Sequence, residues 1–333
     1  MRGTRAPAIS NGEAGDDESI APATDGEGAL AAFESAATNL VSGDTNGKRD
    51  IFLRDIAGNT TTRISLAVNG AESNGDSSEP AMSADGRYVA FTSAASNLVE
   101  SDGNNAIDVF VYDRQSGATA RASVSSAGGE SNGDSYGASL SEDGRYVAFT
   151  STATNLTSSA PGGGLTHVYV RDLSRGKTFL VSNGTRGQET EGNDEGASIS
   201  ADGHTIAFQS SSSILVPSDS NTRSDVFVVE VVYPAEAVIS SVNTLKNLVK
   251  SFKLSSKKSA KSSIQESAAA IQSHIDFDPA TIAVKDGSKT IEALNTSVQK
   301  TLKKLLKRRK ATFKSDKKLA RRALNRLSNA LNP

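Results

Sequence analysis

Three copies of an aspartate-rich loop carry the side chains in this sequence best suited to binding chemistry. The first copy reads Asp44-Thr-Asn46-Gly-Lys-Arg-Asp50, and the same spacing of Asp, Asn and Asp returns twice further along the chain. Oxygen ligands at the first, third and seventh positions of a turn suit Ca²⁺, which takes roughly six to eight oxygens. The sequence therefore predicts calcium ligands at Asp44, Asn46, Asp50, Asp102, Asn104, Asp108, Asp219, Asn221 and Asp225.

The same loops have a second interpretation, in which no metal is involved. Asp and Asn stabilise turns by accepting hydrogen bonds from their own backbone. One repeat of the chain also breaks the pattern, because its loop reads Ala160-Pro-Gly-Gly-Gly and closes on His167. Calcium ligation and turn stabilisation are therefore both open from the sequence.

A serine motif resembles a catalytic one, but its position argues against catalysis. Gly133-Asp-Ser135-Tyr-Gly137 matches G-x-S-x-G, which in hydrolases needs a turn from a strand into a helix and a distant histidine. Here the motif lies in a repeated loop. The chain has no Cys, which excludes thiol nucleophiles and disulfides, and its three His leave little material for a multi-histidine metal centre. We expect no enzyme activity.

The segments between these loops belong to an internal sequence repeat. Residues 83–91 read SADGRYVAF, residues 141–149 read SEDGRYVAF, and residues 200–208 read SADGHTIAF. A weaker copy ends at Phe33, so the four phenylalanines are spaced by 58, 58 and 59 residues. Several motifs recurring at one period indicate a repeat architecture.

Each repeat predicts four antiparallel strands. A short strand ends at Asp-Gly, the dipeptide preferred in tight hairpin turns, and an alternating strand follows at residues 88–91. After a long polar loop come a third strand at residues 109–112 and a fourth at 118–125. Four antiparallel strands per repeat, in several successive repeats, are typical of β-propeller blades.

The repeat resembles the TolB-like, WD-repeat-like bacterial propellers. The resemblance rests on Ser-x-Asp-Gly-Arg-Tyr-Val-Ala-Phe followed by Asp-Val-Phe-Val-x-Asp, and it covers residues 5–233. It implies a mainly β fold with four blades of about 58 residues, and an extracytoplasmic bacterial setting: periplasmic, secreted or cell-surface. The blades are longer than is typical of the family, and the excess lies in two loops. The resemblance therefore implies no partner site in those two loops.

The two ends of the repeat region are complementary. Residues 2–10 align with residues 60–68, the last strand of a repeat, whereas the fourth repeat stops one strand short after residues 226–233. The N-terminal strand therefore either completes the fourth blade and closes a four-bladed ring, or the chain is a fragment of a longer array. Closure would protect an otherwise exposed sheet edge.

Charge is divided between two predicted domains. Residues 1–233 hold 15 Lys and Arg against 31 Asp and Glu, which leaves 21 against 7 in residues 234–333. In an antiparallel blade the loops after the second and fourth strands share one end. These are the long, acidic loops, so we expect this end of the propeller to bind a protein or polysaccharide partner.

Beyond Pro234 the apolar period changes to about 3.6 residues, which predicts about four short helices. Their basic cluster could bind a polyanion or anionic surface, or the acidic propeller itself. The predicted contact residues are Lys303, Lys304, Lys307, Arg308, Arg309 and Lys310. The first residues lack the pattern of a signal peptide, and no stretch is long enough for a transmembrane helix.

These features favour a non-enzymatic binding or scaffold protein that is stabilised by calcium if the acidic loops bind it. Two alternatives remain open. One is the propeller domain of a hydrolase or peptidase system without its catalytic domain. The other is a protein tethered to a polyanion or membrane through its basic helices.

Overall fold

The computed structural model describes residues 15–157, 163–183, 190–216, 219, 221, 223–231 and scattered positions beyond them. The chain divides into two compact units, Met1–Val231 and Val232–Pro333, and the predicted boundary after Tyr233 lies close to this division. Residues 2–10 lie outside the described residues.

The first unit consists of short strands in chain order, and each predicted repeat contributes one sheet. The strands are β1 Ser19–Thr24, β2 Leu30–Ser35, β3 Asp50–Asp55, β4 Thr60–Arg63, β5 Ser77–Met82, β6 Tyr88–Ser93, β7 Asp108–Asp113, β8 Ala118–Arg121, β9 Ser135–Leu140, β10 Tyr146–Ser151, β11 His167–Asp172, β12 Lys177–Leu180, β13 Asp194–Ile199, β14 Thr205–Ser210 and β15 Asp225–Glu230.

The sheets are antiparallel meanders in the order β1-β2-β3-β4, β5-β6-β7-β8, β9-β10-β11-β12 and β13-β14-β15. The first strand of each sheet packs near the first strand of the next, since β1 contacts β5, β5 contacts β9 and β9 contacts β13. This confirms the predicted β-propeller blades, which we number 1 to 4. Blade 4 has three strands among the described residues, as its sequence predicts.

In blades 1 to 3 the fourth strand has four residues and is shorter than predicted. In blade 2 it ends at Arg121, not at Ser125. Beyond Arg121 the Ser123 hydroxyl donates to the Asp108 carboxylate and accepts from the Val109 N–H at 3.1 Å. The Ala122 N–H still donates to the Val109 carbonyl at 2.8 Å, so side-chain hydrogen bonds supplement the backbone pairing at this point.

The innermost strand of every blade carries a bulge with a left-handed residue. These residues are Ala21, Glu79, Gly137 and Gly196, with φ between 49° and 67°. The pairing register with the second strand shifts at the same place in each blade. The extra residue at a bulge changes the direction in which the neighbouring side chains of that strand point.

The hydrophobic core lies between successive blades. One cluster joins Ile51 and Leu53 of blade 1 to Phe91 and Phe110 of blade 2. The next joins Val109 and Val111 of blade 2 to blade 3. Blade 2 therefore buries one face against blade 1 and the other against blade 3, and it is apolar on both faces.

Blade 4 differs from this pattern on its outer face. Val226 and Val228 are 73% and 67% exposed, whereas the corresponding residues Val109 and Val111 are 0% and 4% exposed. This face of β15 is apolar like its counterparts, yet it is not covered to the same extent.

The short Asp-Gly hairpin turns lie at the end of the blades opposite the β2–β3 and β6–β7 loops. They link neighbouring blades through backbone hydrogen bonds. Asp85 N–H donates to the Glu142 carbonyl, and Glu142 N–H donates to the Ala201 carbonyl. At Gly144, φ is +65°, and a Cβ added to this residue would lie 2.1 Å from the Tyr88 ring of the preceding blade. Glycine is required at position 144 because φ is positive and because a side chain there would clash with the Tyr88 ring.

In the second unit the structure describes separate helical residues of the predicted amphipathic segments. Seven of them are buried and apolar or small: Leu245, Val249, Ile264, Val298, Leu302, Ala320 and Leu324. Of the predicted basic cluster, Lys303 is helical and exposed. Lys304, Lys307, Arg308, Arg309 and Lys310 lie outside the described residues. Among the described residues no helix has the length and apolarity needed to cross a membrane.

We predict that Gly144→Ala lowers the free energy of unfolding by more than about 2 kcal/mol, because strain at positive φ adds to a clash with Tyr88. Gly117→Ala is the matched control, since Gly117 has φ +71° but no atom close to the position of an added Cβ. It should cost only about 1 kcal/mol. Urea unfolding measures both, and equal losses would contradict the interblade contact.

Candidate functional site

The two kinds of long loop lie at the same end of the blades, as predicted. Thr45, in the loop between β2 and β3, donates from its N–H and hydroxyl to the Glu72 carboxylate, each at 2.7 Å. Glu72 lies in the connection from β4 to β5, which leads to the next blade. We call this the long-loop end.

A buried arginine connects the carboxylates of the first loop. The Arg63 guanidinium, at the end of β4, lies 2.8 Å from Asp44, 3.2 Å from Asp50 and 3.1 Å from Glu72. The side chains of Arg63, Asp44 and Asp50 are all at least nine-tenths buried. We call this group an arginine clasp, and we use the same name for the corresponding group in blade 2.

Blade 2 repeats the clasp with a different arginine. Arg121, at the end of β8, lies 3.0 Å from both Asp102 and Asp108 and also pairs with Glu130. Its guanidinium also donates to the Ser101 carbonyl. One guanidinium therefore connects the β6–β7 loop, the first residue of β7 and the connection from β8 to β9.

The asparagine of each loop makes the turn-stabilising contacts of the second interpretation. Asn46 Oδ1 accepts from the Lys48 N–H at 2.9 Å, and its Nδ2 donates to Asp50. Asn104 makes the same two contacts in blade 2, with Ala106 and Asp108. The amide nitrogen thus faces the carboxylate that was predicted to bind calcium.

The structure therefore brings Asp44, Asn46 and Asp50 together and places a guanidinium beside the two carboxylates. Across the described residues, no group of three or more His, Cys, Asp and Glu side chains is arranged to hold a metal ion. The residues of the second and third predicted sites are also neighbours in the fold: Asp102 with Asp108, and Asn221 with Asp225. Calcium binding by these nine residues stays a prediction.

Within one clasp, the pKa of one carboxyl group is raised and the pKa of another is lowered. Burial raises the pKa of Asp44, and the Arg63 guanidinium opposes this shift. Hydrogen bonds from Thr45 and Arg63 lower the pKa of Glu72 from its ordinary value of 4.5 to about 2. In blade 2 the pKa of Asp102 is raised by burial, and that of Glu130 is lowered by Arg121.

Blade 3 replaces the clasp with a buried histidine. His167 stands at the position of Asp108, and Leu180 stands at the position of Arg121. The His167 Nδ1 lies 3.3 Å from Asp194 and 3.0 Å from the Thr190 hydroxyl, and both partners are buried. The acidic pair and the arginine have therefore been lost together.

The G-x-S-x-G motif has a structural explanation. Ser135 is fully buried at the start of β9, and its hydroxyl lies 2.9 Å from that of Ser151. Gly133 lies against the Thr152–Ala153 backbone, and Gly137 is the left-handed residue of the inner-strand bulge. The motif reflects the blade geometry and not a strand-to-helix elbow.

Sequence reasoning missed an aromatic and acidic cluster at the long-loop end of the inner strands, where β9 follows the connection from β8. Tyr136 of β9 is half-buried, and its phenol has a raised pKa, first through burial and then through Glu195, Glu79 and Asp134. These carboxylates come from blades 2, 3 and 4, and Glu79 Oε2 also accepts from the Gly137 N–H at 3.1 Å. We call Tyr136 with these three carboxylates the Tyr136 cluster. At the bulge the Gly137 N–H binds Glu79 of blade 2, and this contact between blades has no local sequence signal.

The arginines of the clasp were also missed, although the sequence contains a signal for them. Arg63 and Arg121 are 58 residues apart, and the copy that loses the Asp pair also loses the arginine. Pairing of substitutions between repeats of one chain thus indicates contact.

Comparison with known proteins identifies no family. No family model matches the chain, and no curated protein matches it. Among solved structures it is similar to a putative TolB from Agrobacterium tumefaciens, with 17% identity, a TM-score of 0.39, and coverage of 62% of this chain and 59% of that one. A puromycin-hydrolysing peptidase from Mycobacterium tuberculosis gives 10% identity, a TM-score of 0.38, and coverage of 66% and 30%.

The Dos1 propeller gives 11% identity, a TM-score of 0.34, and coverage of 64% and 48%. The chain therefore spans less than two thirds of each of these proteins. The similar structures include enzymes and non-enzymes, so they leave open whether this chain is an enzyme.

We predict that Arg121→Leu lowers the free energy of unfolding by about 3–5 kcal/mol, because it leaves Asp102 and Asp108 buried without their cation. Adding Asp102→Asn and Asp108→Asn should restore part of the loss. Urea unfolding measures both variants. A single variant as stable as the parent would contradict a structural role for the clasp.

Glu72→Gln should show a pH-dependent effect. A lowered pKa means that the Glu72 carboxylate stabilises the folded state above pH 4.5 and that this contribution disappears as the pH falls toward 2. The variant should therefore be less stable than the parent at neutral pH, and the difference should shrink as the pH falls from 4.5 to about 2. A difference independent of pH would show that hydrogen-bond geometry, not charge, is responsible.

Proposed function

We propose that this chain is a non-enzymatic binding or scaffold protein whose long-loop end binds a protein or polysaccharide partner. The observation that carries the proposal is the Tyr136 cluster, in which burial and carboxylates of three blades raise the pKa of one partly exposed phenol and Glu79 of blade 2 binds the Gly137 N–H beside it. An aromatic ring offers stacking area at low entropic cost, and carboxylates accept hydrogen bonds from sugar hydroxyls or protein cations.

The arginine clasps support the proposal by fixing the surrounding loops. Loops that are held in one conformation before binding lose less entropy when the partner binds. Arg63 ties the loops of blade 1, and Arg121 ties those of blade 2. The two clasps also neutralise several loop carboxylates, so the acidic character left for a partner comes from exposed residues such as Glu100, Asp134 and Glu195.

The buried Ser135 supports the non-enzymatic part of the proposal. A nucleophile must reach its substrate, whereas the Ser135 side chain is fully buried and bonded to Ser151. Turnover of a peptide or glycan that Ser135→Ala abolishes, with the fold retained, would overturn this part and favour a hydrolase role. An extracytoplasmic setting is part of the same proposal and rests on the resemblance of the repeat.

Calcium is not required by the proposed function. Arg63 and Arg121 already supply positive charge at two of the three predicted sites. We therefore expect the same unfolding temperature in EDTA and in about 10 mM CaCl₂, a concentration roughly ten times the weakest dissociation constants of extracellular calcium modules. A rise of several degrees with calcium that Asp108→Asn abolishes would establish the metal site.

Binding can be tested with two probes that match the Tyr136 cluster. A chitosan oligosaccharide combines sugar rings with positive charge, and a lysine-rich peptide carries positive charge alone. We predict that calorimetry detects binding of at least one probe, and that Tyr136→Ala weakens it about tenfold or more. Gln115→Ala, at the opposite end of blade 2, is the control and should leave affinity unchanged. No binding of either probe, or equal weakening by the control, would contradict the proposal.

A further inference from the structure

Carboxylates link the inner-strand bulges of blades 2 and 3 to the blade before each of them. The bulge N–H of Glu79 in blade 2 donates to Glu34 Oε2 of blade 1 at 2.7 Å. The bulge N–H of Gly137 in blade 3 donates to Glu79 Oε2 of blade 2 at 3.1 Å. Glu79 Oε2 also accepts from the Thr92 hydroxyl of its own blade at 3.1 Å. One carboxylate oxygen therefore binds two donors between blades 2 and 3.

The junction between blades 3 and 4 has the corresponding donors, but the described side chains supply no carboxylate to them. Gly137 stands at the bulge position that Glu79 occupies in blade 2. Thr150, the counterpart of Thr92, is 1% exposed, and its hydroxyl has no hydrogen-bond partner. Within the described ranges no side chain accepts from the N–H of Gly196, the bulge residue of blade 4. A buried hydroxyl without a partner costs free energy, so an added acceptor would stabilise this junction.

Open space beside the two glycines gives such an acceptor room. A Cβ added to Gly137 or to Gly196 would have no atom within 4 Å. Gly137 has φ +64°, close to the 54° of Glu79, so the two bulges share one local backbone conformation. In blade 2 this geometry directs the Thr92 hydroxyl and the Gly137 N–H to one oxygen. The Thr150 hydroxyl and the Gly196 N–H should therefore also converge on a single oxygen atom.

The charges near this junction favour an uncharged acceptor. Asp134 and Glu195 of the Tyr136 cluster are both exposed acidic residues. In blade 1 the Arg49 guanidinium pairs with Glu34, whereas Thr166 stands at the position of Arg49 in blade 3. A further carboxylate would therefore meet negative charge without a cation to offset it. The carbonyl oxygen of an amide accepts two hydrogen bonds and adds no net charge.

We propose that the Thr150 hydroxyl and the Gly196 N–H bind the carbonyl oxygen of an acetamido group, and that the ligand is a glycan containing N-acetylated sugars. This inference rests on the proposed function and names the ligand class for the same end of the propeller. Tyr136 pairs with Thr150 across β9 and β10, so both side chains lie on one side of the sheet. The Tyr136 ring can therefore stack on the sugar, and Glu79 and Glu195 can accept from its hydroxyls.

Binding requires a side chain to move, because the Thr150 hydroxyl is buried. Tyr136 is the partner of Thr150 across the two strands and is partly exposed, so its ring is well placed to turn away. A change of rotamer leaves the strands in place and brings the ring against the incoming sugar. The proposal thus gives Tyr136 two roles, covering the hydroxyl in the free protein and stacking on the sugar in the complex.

Two neutral trisaccharides test the ligand class by calorimetry. Tri-N-acetylchitotriose carries acetamido groups, whereas cellotriose has hydroxyls in their place on the same ring skeleton. We expect the acetylated sugar to bind about tenfold or more tightly than cellotriose, because only its carbonyl pairs the two donors. Thr150→Val removes the hydroxyl and should abolish most of this preference. Its unfolding temperature should not fall, because the hydroxyl has no partner to lose.

Gly137→Gln tests the geometry without a ligand. Its side-chain carbonyl takes the place that the Glu79 carboxylate has in blade 2, so it should accept from Thr150 and Gly196. We expect this variant to lose binding of the acetylated trisaccharide and to unfold roughly 4 °C or more above Gly117→Gln. Gly117 is the matched control, since it also has positive φ and open space beside it but lies at the opposite end of blade 2.

The outcomes separate this inference from the proposed function. Equal affinity for the two trisaccharides, or failure of the acetylated one to bind while the chitosan oligosaccharide or the lysine-rich peptide binds, overturns the acetamido site alone. Failure of every probe overturns both proposals. Acetylated and amidated triglycine has amide carbonyls without a sugar ring, and binding as tight as that of the acetylated trisaccharide would favour a peptide and overturn the glycan ligand. Equal unfolding temperatures of Gly137→Gln and Gly117→Gln would overturn the geometry.

Discussion

The long-loop end of this propeller depends on a buried guanidinium in each complete clasp. A carboxylate taken out of water is costly unless a cation and hydrogen-bond donors compensate it. Arg121 provides this for Asp102 and Asp108, and the hydroxyls of Ser123 and Ser131 bind the remaining oxygen of Asp108. Polar loops that would otherwise be free at the surface are thereby fixed to the strands below them.

The packing between blades provides the rest of the structure. Blade 2 is apolar on both faces, so its stability depends on having a neighbour on each side. The hairpin turns add backbone hydrogen bonds between successive blades at the opposite end. A blade is thus held at its centre by apolar burial, at one end by its own loops and at the other end by its neighbours.

The sequence predicted the blades because their signals are local and repeated. Asp-Gly turns, alternating strands such as Tyr88–Ser93 and the 58-residue period identify four-stranded repeats without any knowledge of contacts between them. The clasp could not be predicted in the same way. Arg121 is 19 residues from Asp102 on a different element, and pairing of β7 with β8 in the folded sheet brings the two side chains to 3.0 Å. The Tyr136 cluster depends on three blades and on a bulge, so it needed the structure.

Each arginine clasp lies within one repeat and its following connection, whereas each apolar interface belongs to two repeats. Duplication of a 58-residue unit would therefore copy a complete loop-fixing group in a single event. The new unit would still need a matching apolar face on each side before it could fold. In a protein built this way, the binding surface can change blade by blade, while the number of blades is constrained by the faces at the two ends of the array.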